Sequence, residues 1–100
     1  MTIKEIETLS GMERANIRFY EREELISPKR MNNGYRDYSE IDLQILLRIK
    51  LLRSLHISLD EIKALKDGSR DLADTLSKQI EKLDQEKQDA SYAQYLCRAI

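Results

Sequence analysis

Arg18-Phe19-Tyr20-Glu21-Arg22-Glu23-Glu24-Leu25-Ile26-Ser27-Pro28-Lys29-Arg30-Met31-Asn32-Asn33-Gly34-Tyr35-Arg36-Asp37-Tyr38 decides how this chain folds. Bases alternate with aromatics in its first part, which reads as helix. Pro28 forbids helix continuation and biases Ser27 to extended geometry. Asn33-Gly34 between two short runs then signals a hairpin, with a type I′ turn expected because both central residues tolerate positive φ. A helix end and a small basic ribbon therefore stand side by side. Arg supplies forked donors for phosphate or guanine, and Tyr a ring with a hydroxyl tip, a pairing that points to nucleic acid.

Upstream of this stretch, Thr2 with Glu5 forms a capping box that opens a helix over residues 3–10, and Ile3, Ile6 and Leu9 give it one apolar edge. Gly11 supplies the positive φ of a tight turn. A second helix starts near Met12 or Glu13 and runs to about Glu24, with Ile17, Tyr20 and Leu25 inward and Arg14, Arg18 and Arg22 recurring every four residues. Helix, glycine turn and basic helix make the helix-turn-helix pattern, whose second helix enters a major groove. The spacing alone serves equally well a solvated face on which these arginines pair with Glu13, Glu21 and Glu23. On the ribbon, Lys29, Arg30 and Arg36 lie beside the second helix. Tyr35 and Tyr38 face opposite ways, so at least one packs beneath it.

Downstream, Ser39 with Asp42 caps a third helix through about Leu55. Its apolar residues cover almost the whole circumference, which predicts burial on more than one side; Arg48, Lys50 and Arg53 give polar relief, and Arg53 could reach a phosphate. His56 has no second ligand at metal spacing and is read as closing this helix. Ser58 with Glu61 opens a fourth helix to about Lys66, ended by Asp67-Gly68-Ser69. The last thirty residues carry a heptad: Leu76, Leu83, Ala90 and Cys97 every seven, with Ala73 and Ile80 on the alternate seam, Leu72 at its start, and Lys87 and Gln94 weakening it. A helix of about thirty residues is roughly 45 Å long, so its seam asks for a second helix, most simply from another copy of the chain. Cys97 on that seam reads as a small packed hydrophobe.

The 100 residues make one small domain with an extension, dividing at 1–68 and 69–100. A chain of this size buries only about 60 to 65% of its unfolded surface, which favours support from a partner chain. Net charge is −1, with +1 over residues 1–56 and −2 over 57–100, so any nucleic-acid surface must come from bases clustered on one face. There is no long apolar run and no signal-peptide pattern, and a single Cys, which together place the protein in the cytoplasm with no membrane partner. One His, one Cys, no glycine-rich phosphate loop and no nucleophile motif argue against an enzyme, a cofactor or a metal site.

Arg18-Phe19-Tyr20-Glu21, Leu25-Ile26-Ser27-Pro28, Arg30 and Gly34-Tyr35-Arg36-Asp37-Tyr38, with Leu9-Ser10-Gly11, Tyr38-Ser39-Glu40-Ile41-Asp42-Leu43 and Ser58-Leu59-Asp60-Glu61-Ile62 in order, resemble the MerR family of bacterial transcription regulators. The resemblance covers residues 2 to about 66. It implies an all-α fold: a winged helix-turn-helix of four short helices with a β-hairpin wing, then a long antiparallel coiled-coil dimerisation helix. It further implies a homodimer on pseudo-palindromic promoter DNA, bending and untwisting it so that RNA polymerase engages indirectly, through the DNA. The DNA-binding residues it implies are Asn16, Arg18, Tyr20, Tyr35, Arg36 and, more weakly, Arg53, to which the basic stripe and the ribbon add Arg14, Arg22, Lys29 and Arg30; the seam makes Leu72, Leu76, Ile80, Leu83, Ala90 and Cys97 the dimerisation residues. The chain departs from the family's pattern at Glu24 and His56, where Gly is usual, at Glu7, and at Ala15, where many members carry a base. Two other classes share the helical pattern: chaperone-modulator interaction modules and excisionase-like architectural DNA-binding factors.

Overall fold

The computed structural model describes residues 1–100 and comprises α1 (Ile3–Ser10), α2 (Arg14–Arg22), β1 (Lys29–Arg30), β2 (Arg36–Asp37), α3 (Glu40–Ser54), α4 (Leu59–Asp67) and α5 (Leu72–Ala99). Two compact units result, Met1–Ser58 and Leu59–Ile100, so α4 falls with α5. The two strands pair antiparallel, Lys29 opposite Asp37 and Arg30 opposite Arg36.

The capping boxes expected at the starts of α1 and α3 form. The Glu5 N–H donates to Thr2 Oγ1 and the Thr2 N–H to Glu5 Oε1; Asp42 and Ser39 exchange the same pair at 3.0 and 2.9 Å. Each box satisfies two backbone donors that a helix start leaves open. Hydrogen bonds from Thr2 hold the Glu5 carboxyl below its ordinary pKa, so this cap is present at neutral pH and lost as acid protonates it. Gly11 closes α1 in the left-handed region, φ 69°. Lys50 of α3 donates to the Ser10 carbonyl at 3.2 Å there, and a Cβ on Gly11 would stand 2.6 Å from that ammonium.

Two helix ends are closed without glycine. After α2 the Leu25 N–H reaches the Tyr20 carbonyl and the Glu24 N–H the Glu21 carbonyl, a Schellman arrangement with Glu24 at φ 61°. After α3 the Ile57 N–H reaches Leu52 and the His56 N–H reaches Arg53, with His56 at φ 62°. A side chain in this region costs about 1–2 kcal/mol, partly offset by the greater entropy glycine loses on folding. Glu24→Gly and His56→Gly should therefore each stabilise the fold by about 0.5–1 kcal/mol, read as a raised urea midpoint. An unchanged midpoint would mean that neither site is strained.

The first unit's core is Ile6, Ile17, Ile26, Tyr38, Leu43 and Leu46, with Met1, Ile3, Met12, Tyr20 and Ile45 packed at its edge. α1, α2 and α3 contribute Ile6, Ile17, Leu43 and Leu46, and the segments flanking the hairpin contribute Ile26 and Tyr38, so the helix-turn-helix, the base of the wing and α3 share one apolar centre. The wing departs from the type I′ expectation. The Gly34 N–H donates to the Met31 carbonyl and the Met31 N–H to that of Tyr35; only Gly34 has positive φ, at 85°. This is a turn centred on Asn32-Asn33 followed by a left-handed glycine, the three-residue hairpin loop, because Asn33 already satisfies Tyr35 N–H through its side chain. The other departure is α3. Leu43, Leu46, Ile49 and Leu52 are buried, but Ile41 is 71% and Leu51 60% exposed, so one face rather than the circumference is covered. Three-residue steps along one side of the helix carry the core, and leucines elsewhere need no inward position.

Candidate nucleic-acid interface

α2 carries its residues about 100° apart, so Ile17 on the core fixes where the others point. Arg18 and Arg22 lie on the outer arc, both exposed and neither in an ion pair. Arg14, at the arc's edge, is held across the helix-turn-helix: its Nε and Nη2 donate to Glu7 Oε1 at 3.2 and 3.0 Å. Thus the solvated-face reading is met for one arginine of three, and by Glu7 of the preceding helix rather than by Glu13, Glu21 or Glu23. Asn16 is exposed on the opposite edge of the arc. Tyr20 packs against the core, with Phe19 edge-on at 5.4 Å between ring centroids, so Tyr20 offers only part of its ring outward.

On the wing, Lys29 is exposed, Arg30 Nη1 donates to the Gly34 carbonyl and buttresses the turn, and Tyr35 is 72% exposed. Tyr38 is the ring that packs beneath. Its hydroxyl is buried with no hydrogen-bond partner, and burial, with the nearby Glu21 charge, holds its pKa above the ordinary tyrosine value. Arg36 reaches from β2 to α2, where Nε meets both oxygens of Glu21 at 3.0 and 2.7 Å. Arg53, apart from these, is exposed on α3 and donates from Nη1 to the Ile57 carbonyl across the helix end.

A cleft of about 630 Å³ runs between the start of α1, α2 and the wing, lined by Thr2, Ile3, Lys4, Arg14, Arg18, Met31, Asn33, Gly34, Tyr35 and Arg36. It brings together four of the ten residues the sequence nominated for DNA, Arg14, Arg18, Tyr35 and Arg36, and leaves the rest outside its lining. Lys4 is the base that sequence reading missed. It stands one position after an apolar helix residue with no motif around it, and only the proximity of α1 to the wing gives it meaning. The cleft holds four cations, of which Lys4 and Arg18 are unpaired.

On α5, Leu72, Leu76 and Leu83 are half-buried while Ile80, Ala90 and Cys97 are exposed, with Cys97 a free thiol. Thr75 and Gln79 are the buried residues of this helix. Tyr92 and Tyr95 stack near its end, 6.5 Å between centroids, both exposed. No group of three or more His, Cys, Asp or Glu comes together in the chain, and no helix is long and apolar enough to cross a membrane.

Residues 1–69 match the family model described as MerR HTH family regulatory protein. The HTH-type transcriptional regulator HmrR of Rhizobium leguminosarum bv. viciae is 40% identical over 65 residues, covering 65% of this chain and 50% of that protein. This chain spans about half the length of such relatives. Among solved structures, the N-terminal part of the Bacillus subtilis multidrug transporter activator, MtaN, superposes over 99% of this chain and 96% of its own, TM-score 0.86 at 30% identity. HiNmlR, described as a MerR family regulator lacking the sensor domain and bound to promoter DNA, covers 96% of this chain and 77% of its own, TM-score 0.69 at 26% identity.

Proposed function

Since the chain belongs to the MerR family of helix-turn-helix regulatory proteins, we propose that it is a dimeric, sequence-specific transcription regulator working on promoter DNA in the cytoplasm. The observation that carries this is the cleft where α2 and the wing meet, a concave basic surface bordered by the unpaired Arg18 and the exposed Tyr35. Residues 1–68 are the DNA-binding part and 69–100 the dimerisation helix. α2 enters the major groove through Arg18, with Asn16, Tyr20 and Arg22 beside it. The wing, with Lys29, Arg30, Tyr35 and Arg36, grips flanking phosphates, and Arg53 adds a more distant one. Arg14 serves chiefly to fix the angle between α1 and α2.

Two copies joined along Leu72, Leu76, Ile80, Leu83, Ala90 and Cys97 meet a pseudo-palindrome, bend and untwist it, and so act on RNA polymerase through the DNA. That a family member of this fold has been crystallised on promoter DNA supports the reading. The test is selection from a randomised duplex library followed by a salt titration of the enriched duplex. With four to six phosphates contacted, log K should fall against log salt with a slope of about −4 to −5. Enrichment of inverted repeats with that slope is expected. Failure to enrich any duplex would leave a protein-interaction module as the function of the fold.

A further inference from the structure

The two ion pairs at the cleft use their arginines differently. Arg14 spends Nε and Nη2, the edge that makes a bidentate fork, on a single oxygen of Glu7. Arg36 gives Glu21 only its Nε, which both carboxylate oxygens approach, and neither Nη1 nor Nη2 has a protein partner. The pair is sheltered, its side chains 26% and 20% exposed, and it joins two elements fifteen residues apart, α2 and β2. A guanidinium clamped at Nε keeps its plane and still offers the outer Nη1–Nη2 edge, which matches two oxygens of one phosphate.

We infer that Glu21 is a positioning residue for DNA: it fixes the Arg36 fork toward a backbone phosphate and ties the reach of the wing to the angle of α2. This rests on the DNA-binding reading above. The Glu21 charge cancels most of the long-range attraction of Arg36, so what the pair gives DNA is geometry, and geometry counts only where the duplex has the right shape and register. Glu21 thus trades non-specific affinity for discrimination.

The test measures binding of the enriched duplex and of a shuffled duplex by wild type, Glu21→Gln, Arg36→Ala and the double variant. Glu21→Gln should bind shuffled DNA about two- to threefold more tightly, having lost a negative charge, while its preference for the enriched duplex falls about fivefold. In the Arg36→Ala background, Glu21→Gln should leave the preference unchanged. Equal changes of preference in both backgrounds, or none, overturn the role. In free wild-type protein the Arg36 Nε–H proton should exchange slowly enough to give a resolved NMR cross-peak at neutral pH; a fast-exchanging proton overturns the clamp even if Glu21→Gln fails to fold. A wild type that enriches no duplex overturns the DNA reading and this role with it, whereas enrichment with additive effects overturns the role alone.

Discussion

An Arg18→Ala variant is expected to bind its enriched duplex at least about 30-fold more weakly, since a bidentate Arg contact to a base is worth about 1–3 kcal/mol and a two-fold complex loses two, about 2 kcal/mol or more in all. The structure singles out this arginine by elimination. Among the three bases in four-residue steps on α2, Arg14 is engaged by Glu7 and Arg22 lies outside the cleft, leaving Arg18 exposed, unpaired and within it. Arg14→Ala is the control: an exposed ion pair contributes at most about 1 kcal/mol, so it should cost little in folding and less than Arg18→Ala in binding. Fluorescence anisotropy on both variants decides; if Arg14→Ala is the weaker binder, α2 presents a different face to DNA.

Ile80→Asp should convert a dimer to a monomer. Ile80 is 61% exposed within one chain, so a charge there disturbs little of the fold of that chain. In a two-stranded seam it is covered, and each copy loses about 1.5–3 kcal/mol of side-chain burial and gains a carboxylate forced from water. Two copies together should weaken association by at least about 10³-fold, to be read by light scattering across a dilution series. Binding to an inverted repeat should fall with it, while folding measured by circular dichroism persists. A variant that stays dimeric would place the interface elsewhere than on the Ile80 face of α5.

What could be read from the residues was mostly where helices begin. Thr2 with Glu5 and Ser39 with Asp42 declare themselves because both partners of a capping box lie within one turn. Helix ends were harder: Glu24 and His56 stand where the family resemblance leads one to want glycine, and both take the left-handed conformation that a side chain disfavours, although His56 could be read as the residue that closes α3. The Asn33-Gly34 dipeptide located the wing correctly and misled about its turn, since one extra residue in the loop moves the turn centre back to Asn32-Asn33. The candidate site was legible as a clustering of Arg and Tyr but not as wiring. Nothing local links Glu7 to Arg14 or Glu21 to Arg36; those pairs exist because Ile6, Ile17 and Tyr38 share a core that draws three elements together.

That wing loop also has a chemical lifetime. Asn-Gly is the dipeptide most prone to deamidation, in which the glycine amide nitrogen attacks the asparagine side chain and closes a five-membered imide. Here the Gly34 N–H is committed to the Met31 carbonyl, and the Asn33 side-chain oxygen accepts from Tyr35 N–H, so neither reactant is free to approach the other. An intact hairpin therefore guards its own tip against ageing. Once the hairpin opens, that protection is lost, and a new carboxylate, with an inserted backbone methylene where the product is isoaspartate, would be left beside Arg30 and Tyr35, on the surface proposed to grip phosphate.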